Sequence, residues 1–176
     1  MFATMIIDEL KQNLTRSDAV MRRDWAARIV NEKIPLDSLL CLLHGDPKIA
    51  ERFTWLIGDL LVAAPNLVRK ILPFLFAVRD EMPFEGIWRT VAKCLCVLGV
   101  PSELEDEAIP QLLTWLENDR YPIACKHYAS MALVNLEKEG RVDRKRLIRI
   151  LKRQQTLSTP AHQKRMAQLH QKLTRT

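Results

Sequence analysis

A basic segment near the end of the chain carries the residue types best suited to binding a negatively charged partner. The segment DRKRLIRILKRQQ spans residues 143–155. On a helical wheel its Leu and Ile side chains fall on one arc. The cations opposite that arc are Lys145, Arg149, Lys152 and Arg153. Such a face could pair with phosphates, dock an acidic protein, or serve as the polar outer face that a terminal repeat needs.

Charge is concentrated in this part of the sequence. Of the 27 basic and 21 acidic residues, eleven basic and one acidic lie in residues 141–176, a net charge of +10. The first 140 residues then hold 16 basic and 20 acidic groups, a net charge of −4. Residues 141–176 contain no Phe, Tyr or Trp on which an unpaired base could stack. We therefore expect an acidic protein partner before a nucleic acid, and we keep nucleic acid as the alternative.

A smaller basic group lies near the N-terminus. Its arginines are Arg16, Arg22, Arg23 and Arg28. If the chain curves, this group and the basic segment could line one concave face. Arg22 and Arg23 are therefore further candidate binding residues.

A tryptophan and an aspartate form the second candidate site. Trp55 and Asp59 are four residues apart, so a helix places both side chains on one face. Arg89 or Lys93, one repeat later, could supply a basic partner. The alternative is structural: Trp55 packs between repeats and Asp59 is a solvated or inter-repeat polar group.

Other catalytic and cofactor motifs are absent from the sequence. The five glycines stand alone, so no glycine-rich phosphate loop forms, and there is no Gly-x-Ser-x-Gly nucleophile elbow. Cys41, Cys94, Cys96 and Cys125 include no CxxC pair, so we expect reduced core thiols. His162 and His170 are expected to be solvated. The residues themselves predict no cofactor, no metal and no catalytic residue.

Composition and periodicity predict helices almost throughout. Strong helix formers dominate, and two apolar patterns alternate along the chain. One pattern is a leucine-rich block that occurs as LLCLL, ILPFL, LLTWL and LIRIL, beginning at residues 39, 71, 112 and 147. The other has apolar residues at i, i+3, i+4 and i+7. Alternation with a period of about 36 residues is typical of a helix-pair solenoid.

These repeats resemble the HEAT and armadillo class of α-solenoids. The resemblance is carried by RFTWLIGDLL, IWRTVAKCLCVLG and KHYASMALVNLEKEG, each followed by a leucine-rich helix. The chain also resembles small bacterial HEAT-like repeat proteins of unknown function. The fold implied is all-α: a right-handed α–α superhelix of about four degenerate helix pairs, forming one domain over residues 1–176. Residues 1–16 are expected to form an N-terminal capping helix, residues 17–153 the repeats, and residues 158–176 a basic C-terminal capping helix.

The resemblance also implies one enzymatic possibility. HEAT-like DNA glycosylases that release alkylated bases use a Trp, an Asp and an Arg in a basic groove. Their aromatic face supports the cationic base, and their carboxylate stabilises the developing sugar cation. Trp55, Asp59 and Arg89 would take these roles here, although this chain looks shorter than those enzymes.

The function expected from the sequence is a non-catalytic protein-binding or scaffold module. No apolar stretch approaches the roughly 18 residues of a membrane span, and the unpaired cysteines favour a reducing compartment. We therefore expect a cytoplasmic protein without a membrane partner.

Overall fold

Helices make up all the secondary structure of residues 2–82, 84–156 and 159–175, which are the residues that the computed structural model describes. The α-helices are α1 (Phe2–Asn13), α2 (Ala19–Asn31), α3 (Pro47–Ala63), α4 (Pro65–Ala77), α5 (Gly86–Leu98), α6 (Glu105–Glu117), α7 (Ile123–Lys138), α8 (Arg144–Gln154) and α9 (Pro160–Thr174). Three 3₁₀ segments are Leu14–Arg16, Leu36–His44 and Ser102–Leu104. The predicted all-α class is confirmed.

The chain divides into two compact units, Met1–Cys94 and Leu95–Thr176, and the division falls within α5. In the first unit α3 packs against α2, α4 and the segment Leu36–His44. In the second unit α6 packs against α7, and α9 packs against both α7 and α8. Consecutive helices are thus neighbours from α2 to α4 in the first unit and from α6 to α9 in the second.

Helix α3 begins and packs as its sequence predicts. The carboxylate of Asp46 accepts hydrogen bonds from the backbone N–H groups of Lys48 (2.8 Å) and Ile49 (3.2 Å), with Pro47 in the first helical turn. One face of the helix is buried among the core residues Phe53, Leu56, Ile57 and Leu60. The opposite face is left to carry polar groups, and it includes the candidate site.

The leucine-rich segment Leu36–His44 is a 3₁₀ helix, where the repeat pattern predicted an α-helix like its counterparts. Leu36, Leu39 and Leu42 are three residues apart and all buried. A 3₁₀ helix has three residues per turn, so this spacing places the three leucines on one side. Pro35 precedes the segment and Gly45 ends it.

Other helix ends follow their predicted signals only in part. Gly140 ends α7 with a φ of 73°, and the N–H of Arg141 donates to the carbonyl of Leu136 at 2.9 Å, as in a Schellman motif. The segment Ser102–Glu105 has the residue spacing of a capping box, Ser followed three residues later by Glu, but no capping box forms. It forms a 3₁₀ turn instead, and the Ser102 hydroxyl contacts the Glu103 carboxylate at 3.4 Å. Of the predicted C-terminal capping helix, residue 158 lies outside the described residues, and α9 begins at Pro160.

Two predictions about buried and solvated side chains need correction. Cys94 and Cys125 are buried and Cys96 is partly buried, but Cys41 is exposed on the outer side of the 3₁₀ segment. His162 was predicted to be solvated, yet only 3% of it is exposed. It lies in the first turn of α9, the helix that packs on both α7 and α8. His162 is four residues before Met166, so helix geometry places it on the same edge of α9 as the buried Met166, Leu169 and Leu173. Its polar side chain, and not its position on the helix, led to the prediction that it is solvated.

Candidate functional site

The Trp55 side chain lies on the partly exposed face of α3 and is surrounded by arginines. The guanidinium carbon of Arg52 is 4.1 Å from the centroid of the Trp55 ring. Those of Arg22 and Arg89 are 5.3 and 5.6 Å away. A cation within about 6 Å of an indole centroid is attracted by the negative face of the ring. One cation from each of α2, α3 and α5 therefore lies close to the Trp55 ring.

Asp59 lies one turn after Trp55 and forms an ion pair with Arg22. The Nε of Arg22 donates to Oδ2 of Asp59 at 3.0 Å. The Arg22 side chain is 12% exposed and that of Asp59 is 28% exposed. Because the pair is partly removed from water, it is screened less than a surface ion pair. The Asp59 carboxylate is thus already neutralised by a fixed cation.

Helix α5 approaches α3 closely beside this pair. The Lys93 ammonium donates to the backbone carbonyl of Gly58 at 3.2 Å, and the Thr90 hydroxyl donates to the carbonyl of Thr54 at 3.2 Å. Gly58 has no side chain, and a Cβ added there would lie 3.5 Å from the Lys93 ammonium nitrogen. The two contacts hold Lys93 next to the Trp55–Asp59 face.

The charges around Trp55 do not balance. We call the set Arg22, Arg52, Arg89, Lys93 and Asp59 the Trp55 cluster; it holds four cations and one carboxylate. Among the described residues, Arg52, Arg89 and Lys93 have no carboxylate within 4.0 Å. Glu51, the other acidic residue of α3, forms no ion pair with any described residue. The cluster therefore carries a cationic excess of three.

The structure brings together most of the residues proposed for this site from the sequence. Arg89 and Trp55 are in contact, and Asp59 is on the next turn of the same helix. Arg22 joins them, whereas Arg23 points elsewhere, is exposed and donates to the carbonyl of Ala19 at 3.1 Å. Sequence reasoning missed Arg52 as a member and Arg22 as the partner of Asp59. The position of Arg52, three residues before Trp55 on one helix face, was a usable signal.

The basic face of α8 is a separate surface in the second unit. Lys145, Arg149, Lys152 and Arg153 are all exposed, as the wheel predicted. On the opposite side Leu147, Ile150 and Leu151 are buried. Asp143 caps the helix by accepting from the N–H of Arg146 at 2.6 Å. Within the described part of the chain, none of the four cations has a carboxylate within 4.0 Å.

The other cations of α8 have assigned partners. Arg144 pairs with Glu137 at 3.7 Å and also donates to the carbonyl of Leu173 on α9. Arg146 pairs with Glu117 of α6 at 3.6 Å. These side chains tie α8 to its neighbours. The four cations of the basic face are exposed, and Arg153 acts on the carboxylate of Asp119 only from beyond 4.0 Å.

The buried side chains of His162, Cys94 and Cys125 are poorly placed to react in the described structure. Burial, with the neighbouring Lys126 and His127, lowers the pKa of His162, and neither of its ring nitrogens has a hydrogen-bond partner. Burial raises the pKa of the Cys94 thiol to about 12 and that of Cys125 further still. A thiol needs its thiolate form to act as a nucleophile or ligand. No group of three or more metal-binding side chains occurs in the parts of the chain described.

Comparison with known proteins assigns no family. No protein-family model matches the chain, and neither a curated protein nor a solved structure matches it. Among the described helices, none combines the length and the apolar character required to cross a bilayer.

Proposed function

We propose that the protein is a non-catalytic binding or scaffold module that docks an acidic protein through the basic face of α8. The observation that carries the proposal is a set of four exposed cations, none of which has a carboxylate within 4.0 Å among the described residues: Lys145, Arg149, Lys152 and Arg153. A solvated cationic face attracts a partner of opposite charge and orients it. The buried side of the same helix holds that face in a fixed position.

The composition around α8 favours a protein over a nucleic acid. Residues 141–176 have no aromatic side chain for base stacking and no recognised motif for reading duplex DNA. An acidic protein surface needs neither feature. Its carboxylates can pair with the cations of α8 at the rim of an interface whose centre is apolar.

The fold that we propose for this module is the HEAT-like right-handed solenoid implied by the sequence repeats. Packing of consecutive helices within each unit supports it, as does the contact of α6 with α8 and of α7 with α9. In a solenoid each helix contacts its next-but-one neighbour through stacking of successive pairs. The unpaired cysteines support a cytoplasmic location as part of the same proposal.

Docking is tested with a defined acidic probe. A fluorescent poly-glutamate peptide is titrated into the protein at low salt, and binding is followed by anisotropy. The variant K145E/R149E/K152E/R153E is expected to lose binding by about tenfold or more, since four favourable charge contacts become repulsive. The control K11E/K48E/K70E/K138E makes the same change of net charge at exposed lysines elsewhere. Equal losses in the two variants would show that net charge alone is responsible and would refute the proposed face.

A second candidate function is nucleic-acid binding, with release of alkylated bases as its enzymatic extreme. The observation in its favour is that Trp55, Asp59 and Arg89 share one surface. Two contacts act against it: guanidiniums occupy the surroundings of the indole, and Arg22 neutralises Asp59. A cationic base would meet a cationic surface.

Duplex DNA carrying an alkylated purine distinguishes this second candidate. The protein is incubated with the duplex, and released base is measured by chromatography. Release that disappears in Asp59→Asn and persists in Arg23→Gln would establish the glycosylase. If duplex DNA does not bind at low salt, nucleic acid is excluded and docking of a protein remains.

A further inference from the structure

We propose that the Trp55 cluster is a binding site for a phosphate group, separate from the basic face of α8. The cluster lies wholly within the first unit, on α2, α3 and the first turns of α5. The inference does not depend on docking at α8. It rests on the number, position and partners of the cations around one indole ring.

The cations around Trp55 repel one another, and this repulsion raises the free energy of the site. Three guanidinium carbons lie within 5.6 Å of one ring centroid, so any two of them are at most about 11 Å apart. That distance is about one Debye length at 0.1 M salt, and partly buried charges are screened less than exposed ones. Asp59 offsets one charge only. An added anion would relieve the repulsion that remains.

Contacts with neighbouring groups fix the cations of the Trp55 cluster in position. Arg22 is fixed by Asp59, and Lys93 is fixed by the carbonyl of Gly58. Arg52 and Arg89 lie against the indole. A guanidinium that packs its face on a ring keeps the N–H groups at its edge available as donors. The donors are thus preorganised, which reduces the entropy lost on binding.

The net charge of the Trp55 cluster indicates which kind of anion it would bind. The cationic excess of three exceeds the single charge of a carboxylate. A phosphate group carries between one and two negative charges near neutral pH and offers several acceptor oxygens. Guanidiniums bind such oxygens in pairs of parallel hydrogen bonds. The cluster therefore fits phosphate better than carboxylate.

Binding is measured by calorimetric titration with inorganic phosphate and, separately, with glycerol 3-phosphate, at ionic strength held constant with chloride. Specific binding of either probe is expected. Tighter binding of glycerol 3-phosphate would identify a phosphate ester as the ligand, and equal or tighter binding of inorganic phosphate would identify the free ion. Absence of binding by both probes would overturn the proposal.

The arginines without carboxylate partners are tested by matched double variants. R52Q/R89Q is expected to weaken phosphate binding by about tenfold or more, whereas R16Q/R23Q, which removes two exposed arginines of the same unit, should leave it within about twofold. R52K/R89K keeps the charge without the planar fork, and an intermediate loss is expected. If R52Q/R89Q binds phosphate as well as the unmodified protein, the site is wrongly placed.

Asp59 and Trp55 have opposite expected effects. In Asp59→Asn the side-chain amide oxygen can still accept from Arg22, so the guanidinium stays in place while the competing negative charge is lost. Phosphate should therefore bind more tightly, by severalfold. Trp55→Leu removes the surface that orients the guanidiniums and should weaken binding, and Trp55→Phe should restore most of it. Weaker binding in Asp59→Asn would contradict an anion site. The α8 variant K145E/R149E/K152E/R153E should bind phosphate normally, so failure of the docking proposal would leave this one standing.

Discussion

The buried histidine of α9 shows how one residue can make the fold sensitive to acid. His162 is 3% exposed, and neither ring nitrogen has a hydrogen-bond partner among the residues that the structure describes. The charged groups around it are Lys126 and His127 of α7, and Arg165 of the same helix acts on His127. No carboxylate is among these influences. Protonation of His162 would therefore add a positive charge in a buried position beside existing cations.

The sign of the pH dependence follows from this environment. The pKa of His162 is lowered in the folded protein, by burial first and then by Lys126 and His127. The unfolded chain therefore binds a proton at a higher pH than the folded chain does. The free energy of unfolding is fully retained above the ordinary histidine pKa of about 6.5, and it falls as the pH decreases below that value.

We predict that His162→Leu reduces this loss. Urea unfolding at about pH 7.5 and about pH 5.5 should show a smaller decrease in midpoint for the variant than for the unmodified protein. Part of the decrease should remain, because burial also lowers the pKa of His127. His170→Leu, on the last turns of the same helix, is the control and should leave the decrease unchanged. A full decrease in His162→Leu would show that His162 does not titrate with unfolding.

At the scale of the helices, Gly58 and Gly140 have different backbone conformations. We expect their substitution by alanine to change the free energy of unfolding in opposite directions. Gly58 lies inside α3, where a Cβ would meet only the Lys93 ammonium at an ordinary contact distance of 3.5 Å. Gly140 follows α7 in the left-handed region, with a φ of 73°. Alanine favours a helix interior by about 1 kcal/mol over glycine. The left-handed region costs an L-residue about 1–2 kcal/mol.

We therefore predict that Gly58→Ala raises the free energy of unfolding by up to about 1 kcal/mol and that Gly140→Ala lowers it by about 1 kcal/mol or more. Chemical denaturation of both variants measures the two changes under the same conditions. A destabilised Gly58→Ala would mean that the Lys93–Gly58 contact tolerates no methyl group. Phosphate titration of Gly58→Ala would then show whether a change in this contact also alters the affinity for phosphate.

The elements also show which parts of the structure the sequence could predict. Local signals worked: Asp46 caps α3, Gly140 ends α7, and the two sides of α8 divide into buried leucines and exposed cations. The 3₁₀ form of Leu36–His44 was not predicted, because similar leucine-rich blocks form α-helices elsewhere in the chain. The buried leucines Leu36, Leu39 and Leu42 are spaced by three residues, which is the period of a 3₁₀ helix and not the 3.6-residue period of an α-helix.

The candidate site was predictable only along single helices. Trp55, Asp59 and Arg52 share one face of α3, and their spacing shows it. The ion pair between Arg22 and Asp59 joins residues 37 positions apart. Such a contact depends on how α2 packs against α3, which no local pattern specifies. The burial of His162, by contrast, could have been predicted from α9 alone, because its spacing places it on the same edge as Met166 and Leu169.

At the scale of the whole molecule, the two proposed binding sites belong to different compact units. The Trp55 cluster lies in Met1–Cys94 and the basic face of α8 in Leu95–Thr176. They share no residue and no hydrogen-bond network among the described contacts. Effects of substitutions at sites without shared partners usually add.

We predict that the two sites act independently. In a variant that combines R52Q/R89Q with K145E/R149E/K152E/R153E, phosphate binding should be weakened by the same factor as in R52Q/R89Q alone. Loss of poly-glutamate binding should likewise equal that of the α8 variant alone. The measurement is a double-mutant cycle in which each probe is titrated into all four proteins at one salt concentration. A departure from additivity of more than about 0.5 kcal/mol with either probe would show that the two sites are energetically coupled and would contradict their independence.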